Sequence, residues 1–211
     1  MSRLRYNRQA AVVHLCEQCE PLSGFIVQQG PLKLKVSKET DLFSALSQAI
    51  VFQQLSGKAA GTIHGRFCTL FGSSPPNAKK ATRLSIEALR SVGLSQNKAL
   101  AIQDLAQKSV DGSLYSMQKI GRLDDLAVIE NLVQVRGIGP WTAQMLLIFT
   151  LGRPDVMPAA DLGVQKGVQA VYRLKALPTP DEVLRRTRHL APYRSAASWY
   201  FWRAADTVLM S

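Results

Sequence analysis

An all-α fold is what the sequence predicts, and three observations carry that expectation. Apolar residues recur three or four apart along most of the chain, the spacing of a helix face. Ser, Thr, Asp or Pro stands just ahead of most of these runs, where a helix N-terminus needs an acceptor side chain or a preset φ. The segments between are short and rich in Gly, Pro and Ser. Roughly ten helices follow, with at most a short strand pair near the N-terminus. The sequence shows no internal repeat and no low-complexity segment.

Taken in order, Tyr6 to about Cys19 has the first helical period, with Val12, Val13, Leu15 and Cys16 apolar. Phe25 to Val36 alternates instead, Leu32, Leu34 and Val36 against Lys33 and Lys35, and reads as the strand pair. Thr40 or Asp41 caps Leu42 to Gln53; Ser56 caps Lys58 to Phe71, which Gly72 stops. Ser73 to Asn77 is a loop, Ser85 to Arg90 a short helix, and Ser95 opens a long one to about Val110. Asp124 caps Leu126 to Val135, and Pro140 sits in the first turn of Trp141 to Leu151. Asp161 to Tyr172, Pro180 to Leu190 and Tyr193 to Leu209 complete the chain.

Among 211 residues, 26 are Lys or Arg and 15 Asp or Glu, a formal net charge of +11. Charged residues are only 19% of the chain, so the basicity comes from scarce acids. A hydrophobic content of 46% excludes a disordered basic linker. No apolar run approaches the roughly 20 residues that span a bilayer. The opening Met1-Ser-Arg-Leu-Arg-Tyr-Asn-Arg is basic without the apolar segment of a signal peptide. The expectation is a soluble protein, cytoplasmic or nucleoid-associated in a bacterium, nuclear in a eukaryote. An electropositive surface suits nucleic acid, anionic lipid or an acidic partner.

Three cysteines, Cys16, Cys19 and Cys68, are too few for a disulfide framework. Cys16 and Cys19 have metal-ligand spacing, with His14 and His64 the nearest further candidates, but a closed zinc site needs four ligands. Ordinary helix-face thiols are the simpler reading. No four-cysteine cluster is present for an iron–sulfur centre.

The most informative stretch runs Val133-Gln-Val135-Arg136-Gly137-Ile138-Gly139-Pro140-Trp141-Thr142. An apolar helix ends, two glycines bracket an isoleucine, and a second apolar helix begins at once. The second helix offers unpaired N–H groups and its positive dipole end, a phosphate site built from backbone, with Arg136 nearby for charge. Ile138 would pack between the helices. Beyond the second helix, Arg153-Pro-Asp155-Val-Met-Pro-Ala-Ala-Asp161-Leu-Gly-Val places Asp161 after a Pro-rich turn at a helix head. Alone, Asp161 reads as an N-cap.

Together these segments resemble the helix–hairpin–helix DNA glycosylase superfamily. The Arg-Pro-Asp-to-Val run resembles its alkylation-repair branch, 3-methyladenine DNA glycosylase II. The resemblance covers roughly residues 40 to 205. It implies two helical lobes, residues 42–152 and residues 1–41 with 153–211, and Asp161 as the catalytic aspartate. Asp155 then reads as structural. Relatives that also nick the strand carry a lysine at the position of Trp141, and neither Trp141 nor Gln144 has an amine to form a Schiff base. The resemblance therefore implies base release alone.

The segment Phe52-Gln53-Gln54-Leu55-Ser56-Gly57-Lys58 also matches, as a loop that enters the minor groove and fills the hole left by an extruded nucleotide. Gln54 or Leu55 is the wedge. The resemblance gives Gln53, Gln54, Leu55, Ser56, Lys58, Arg136, Gly137, Ile138, Gly139, Thr142 and Lys166 as DNA-contacting residues. Trp141 and Trp202 would face the base pocket, with Phe52 and Tyr193 as further lining; Trp199 reads as core. Gly93-Leu-Ser-Gln-Asn-Lys98 reads as a helix junction near the DNA backbone, or a solvated lysine. By position, the carbonyls of Val133, Val135 and Ile138 would hold a sodium or potassium ion, and no other cofactor is expected. Longer relatives carry an N-terminal β-rich domain, for which the 40 residues here leave too little chain.

The implied partner is double-stranded DNA with a damaged base, met by a monomer with no membrane attachment. Glycosidases acting on neutral sugars typically use two carboxylates. One suffices if the leaving base is already cationic, as a purine alkylated at N3 or N7 is. Tryptophan faces attract such a base, and Asp161 would stabilise the sugar cation and position the attacking water. Two alternatives stand beside this: a non-catalytic helix–hairpin–helix DNA-binding protein, and a glycosylase for hypoxanthine, ethenoadenine or uracil. The charge fits any of them. Residues 136–203 hold ten Lys or Arg against four acids, so over half the net charge accompanies these motifs.

Overall fold

The computed structural model describes residues 4–209. The first three residues of the basic opening lie outside them. The described chain is all-α, as expected. It forms α1 (Arg8–Gln18), α2 (Glu20–Gln29), α3 (Leu42–Phe52), α4 (Gly57–Thr69), α5 (Ala78–Ala81), α6 (Ile86–Ser91) and α7 (Gln96–Asp111). Then follow α8 (Met117–Ile120), α9 (Asp125–Val133), α10 (Pro140–Phe149), α11 (Leu162–Val171), α12 (Pro180–Thr187), a 3-10 turn (Arg188–Leu190) and α13 (Arg194–Leu209). No described residue is in a strand. No helix among the described residues is long and apolar enough to cross a membrane.

Side-chain caps start most of these helices. Asp41, Ser56, Ser95, Asp124 and Asp161 each accept the N–H three residues on. Thr179 and Glu182 form a reciprocal capping box on α12.

The expected strand pair is absent, and the reason is local. Phe25 to Gln29 belongs to α2, whose Leu22 and Ile26, four apart, are its buried residues. Gly30 ends the helix at φ 81, and only then does alternation begin. Leu32 and Leu34 are buried and Lys33 and Lys35 exposed, as the pattern required, but no second strand lies alongside. The segment's backbone is tied to scattered partners instead. Arg8 donates to the Leu34 carbonyl at 2.9 Å, and the Ser37 N–H donates to the Phe149 carbonyl at 2.7 Å.

Two compact units divide the chain. One comprises the described residues up to Lys38 with those from Gln144 onward. Its core holds Leu15, Leu22, Leu34, Val164, Val168, Tyr200 and Phe201, all buried. α11 and α13 are its most intimate pair, because a Cβ on Gly167 would lie 1.9 Å from the Phe201 carbonyl oxygen. Glycine alone lets the two backbones approach so closely. The other unit is Glu39–Ala143. Here α3, α5 and α6 pack on α7, and α4 packs on α3, around Leu46, Ile50, Phe67, Leu89, Ile102 and Leu105. The division falls within α10, so the expected 42–152 lobe runs past this unit's end at Ala143.

Candidate active site and nucleic-acid interface

In the unit that contains α11 and α13, Asp161 is the N-cap of α11. Its Oδ1 accepts the Val164 N–H at 2.9 Å. The same oxygen accepts the indole N–H of Trp202 at 2.8 Å. Two donors on one oxygen fix the carboxylate's rotation. Trp202 is itself held by Phe149, whose ring stacks on it at 5.5 Å between centroids and 30° between planes. Gly163 passes beneath: a Cβ there would stand 2.8 Å from Trp202 Cδ1 and 3.0 Å from Asp161 Oδ1. The cap and the site are one arrangement, because the helix turn that needs an acceptor also aims it.

Asp155, six residues earlier, is fully engaged by Arg194. The guanidinium makes two bonds to its carboxylate, at 2.7 and 2.8 Å, and the Arg194 backbone N–H a third at 3.2 Å. Burial pushes the Asp155 carboxyl pKa up, but the bonds and charge of Arg194 outweigh it, and the net shift is downward. This pair anchors the loop before Asp161 to the start of α13.

In the other unit, the hairpin between α9 and α10 is built as the sequence suggested. Gly137 takes φ 77, a left-handed conformation that favours glycine, and packs beside Ala101 of α7. Ile138 is 4% exposed and pins the turn from inside. Arg136 is exposed, and its backbone N–H donates to Asp104 Oδ2 at 2.7 Å. The carbonyls of Val133, Val135 and Ile138 are hard oxygen donors suited to an alkali cation. Val135 also accepts the Ile138 N–H at 3.0 Å and keeps a second lone pair. Elsewhere, the described residues contain no cluster of three or more His, Cys, Asp or Glu that could hold a metal. Cys16, Cys19 and Cys68 are free thiols, and Cys19 Sγ lies 3.3 Å from the Tyr172 hydroxyl.

The loop after α3 is strained and exposed. Gln54 takes φ 55, a left-handed conformation that non-glycine residues seldom adopt. Leu55 is 40% exposed. Gln53 turns inward, and its Nε2 donates to the Gly137 carbonyl at 2.9 Å. Lys98 donates to the Val51 and Gln53 carbonyls, both at 2.8 Å. Burial pulls its ammonium pKa below the ordinary lysine value.

A family model described as "HhH-GPD superfamily base excision DNA repair protein" matches residues 48–192, spanning the loop, the hairpin and Asp161. The chain belongs to this superfamily. DNA-3-methyladenine glycosylase 1 of Schizosaccharomyces pombe is 36% identical over 77% of this chain and 72% of its own. A solved structure of an S. pombe 3-methyladenine DNA glycosylase in complex with abasic DNA superposes with TM-score 0.83 and 33% identity, covering 92% of this chain and 95% of that one. A DNA-3-methyladenine glycosidase from Bacillus halodurans superposes at 0.85 with 33% identity, over 95% and 91%.

In this HhH-GPD chain, the expected site residues fall in different places. Asp161 and Trp202 come together in one unit. The Tyr193 ring packs on Tyr6 and His14 at 5.8 and 5.3 Å between centroids. Lys166 is half-buried on α11. In the other unit, Trp141 is 45% exposed in the first turn of α10, and Phe52 packs edge-on against His64. Thr142 is 5% exposed, and its hydroxyl oxygen lies 3.5 Å from Gln53 Nε2. Gln54, Leu55, Ser56, Lys58, Arg136 and Gly137 are exposed, and Gly139 is half-buried. Lys98 is half-buried, and its ammonium holds two carbonyls. Sequence reasoning missed Phe149 and Gly163. The second was signalled by glycines four apart in α11, Gly163 and Gly167, which a helix tolerates at a cost of about 1 kcal/mol each relative to alanine.

Proposed function

We propose that the chain is a monofunctional glycosylase that flips alkylated purines of the 3-methyladenine type out of double-stranded DNA and hydrolyses their N-glycosidic bond. The product is an abasic site and a free base. The observation that carries this reading is the doubly bonded carboxylate of Asp161 at the head of α11. A carboxylate fixed there can stabilise positive charge developing at C1′ and orient the incoming water. Water forms the new C1′–O bond and gives its proton to the Asp161 carboxylate, which releases it to solvent. The C1′–N bond breaks, and its electron pair neutralises the cationic base as it leaves. No general acid is required, which matches the single well-placed carboxylate.

The other residues fit supporting roles. Gln54 or Leu55 would occupy the hole left by the extruded nucleotide. The Gly137–Gly139 turn and Arg136 would grip a phosphate through backbone N–H groups and charge. The carbonyls of Val133, Val135 and Ile138 would hold a sodium or potassium ion, whose charge supplements that grip. Trp141 and Trp202 offer aromatic faces that favour an electron-poor base, each by about 0.5–2 kcal/mol. Trp141 stands where strand-nicking relatives carry lysine, so no lyase step is expected. The relatives' names point to the same substrate class.

The test is incubation of the protein, as a monomer, with duplexes carrying 3-methyladenine, 7-methylguanine, hypoxanthine, ethenoadenine or uracil, with the free base detected by chromatography. Release of the methylated purines is the expected result. Release of another base alone would reassign the substrate. Release of none, with DNA binding intact, would make the chain a non-catalytic DNA-binding protein.

A further inference from the structure

One face of α7 touches both DNA-contacting loops. Lys98, Ala101 and Asp104 are spaced three apart, on successive turns of one helix face. Lys98 holds the carbonyls of Val51 and Gln53 at the end of α3. Ala101 lies against the apex of the hairpin at Gly137. Asp104 accepts the Arg136 N–H on the hairpin's flank, and one turn later Lys108 pairs with Asp104. Gln53 closes the circuit by donating from the loop to the Gly137 carbonyl.

The chemistry at the end of α3 explains why a lysine is there. The last carbonyls of a helix lack partners within it. A glycine in the left-handed conformation usually turns the chain back to supply them. Here the residue after the helix, Gln53, stays at φ −54 and ψ 132, and the left-handed position falls on Gln54. The ammonium of Lys98 serves the carbonyls instead, and its positive charge suits a helix C-terminus. Lys98 reaches them from the first turn of α7, whose N-cap Ser95 follows Gly93 at φ 104. A Cβ on Gly93 would stand 3.3 Å from Ile63, so the approach of that junction is also set by glycine.

We propose that this face of α7 is a rail that holds the groove-entering loop and the phosphate-binding hairpin at a fixed spacing, with Lys98 as the positioning residue for Gln54 and Leu55. The proposal rests on the assignment of those two loops to the flipping of a nucleotide. Extrusion requires the wedge to advance while the backbone beside it is held. Two loops anchored to one helix deliver both actions without first spending free energy on ordering.

The test compares the wild type with Lys98→Met and Lys98→Arg on 7-methylguanine paired with cytosine and on the same base placed opposite an abasic gap. Loss of the two carbonyl contacts should slow single-turnover excision of the paired base about tenfold. The already unpaired base should slow less than about threefold, because extrusion costs it little. Lys98→Arg, which can still donate to both carbonyls, should restore most of the paired-base rate. A second readout needs no chemistry: 2-aminopurine beside a stable abasic analogue should brighten on wild-type binding and brighten less with Lys98→Met. Equal loss on both substrates, or an unchanged 2-aminopurine response, overturns the rail. Wild-type protein that releases no base overturns the glycosylase reading alone, and the fluorescence then decides the rail. Should Lys98→Met lack a cooperative melting transition, Lys98→Gln, which stays polar but is too short to reach both carbonyls, carries the same comparison.

Discussion

Trp202 donates its indole N–H to Asp161 across 41 residues of sequence, at 2.8 Å. A tryptophan expected to stack on a base thus also touches the carboxylate. The two functions separate in Trp202→Phe, which keeps an aromatic face and removes the donor. Hydrogen bonds to charged groups contribute about 1.5–3 kcal/mol, so excision of 7-methylguanine should slow roughly ten- to a hundredfold. Single-turnover kinetics at saturating enzyme check this, and an unchanged rate would remove Trp202 from the positioning role.

Asp161→Asn should abolish measurable base release, a loss of at least about a hundredfold, while DNA affinity and melting temperature stay close to wild type. Asparagine caps helices as well as aspartate does. The substitution therefore isolates chemistry from folding, and chromatographic detection of free base beside a binding titration distinguishes them.

Reduction with borohydride during turnover should trap no protein–DNA adduct, because Trp141 and Gln144 carry no amine. Denaturing electrophoresis gives the answer directly. A trapped band would point to another amine, with Lys58 and Lys166 the first to replace.

Two glycines in α11 should fail in different ways. Gly163→Ala places a methyl against Trp202 and Asp161 side chains, which can shift. It should fold and lose about ten- to a hundredfold in excision rate. Gly167→Ala meets the Phe201 carbonyl, which is backbone, and should cost about 3 kcal/mol or more of stability. Urea titrations beside activity assays separate the two.

The Asp155–Arg194 pair gives a pH dependence of stability. The Asp155 carboxyl has a lower pKa folded than unfolded. Its contribution is therefore complete above the unfolded value of about 3.9 and is lost as pH falls through the lower folded one. Asp155→Asn should cost about 1–3 kcal/mol at neutral pH. The gap to wild type should narrow in acid, as followed by thermal melts from pH 7 down to about pH 3.

Legibility in the sequence followed the range of each interaction. Caps such as Asp41, Ser95 and Asp161 act over three residues, so the starts of their helices could be read directly. α2 was hidden because its helical period meets the alternation of Leu32 and Leu34 at Gly30, and the alternation alone was read. α5 and α8 have four residues each, about one turn, and show no period. The hairpin and Asp161 were legible through family resemblance and local chemistry. The Trp202–Asp161 bond, the Phe149 stack and the Lys98 clamp join distant residues, and no local pattern encodes them.

The seam at Gly167 and Phe201 also sets limits for anyone redesigning the enzyme. Main chain meets main chain there, so the seam offers no side chain to vary on either wall. Residues 163, 167, 201 and 202 form a block in which altered shape reaches the carboxylate at once. Libraries seeking a new lesion preference therefore have to leave those four positions unchanged.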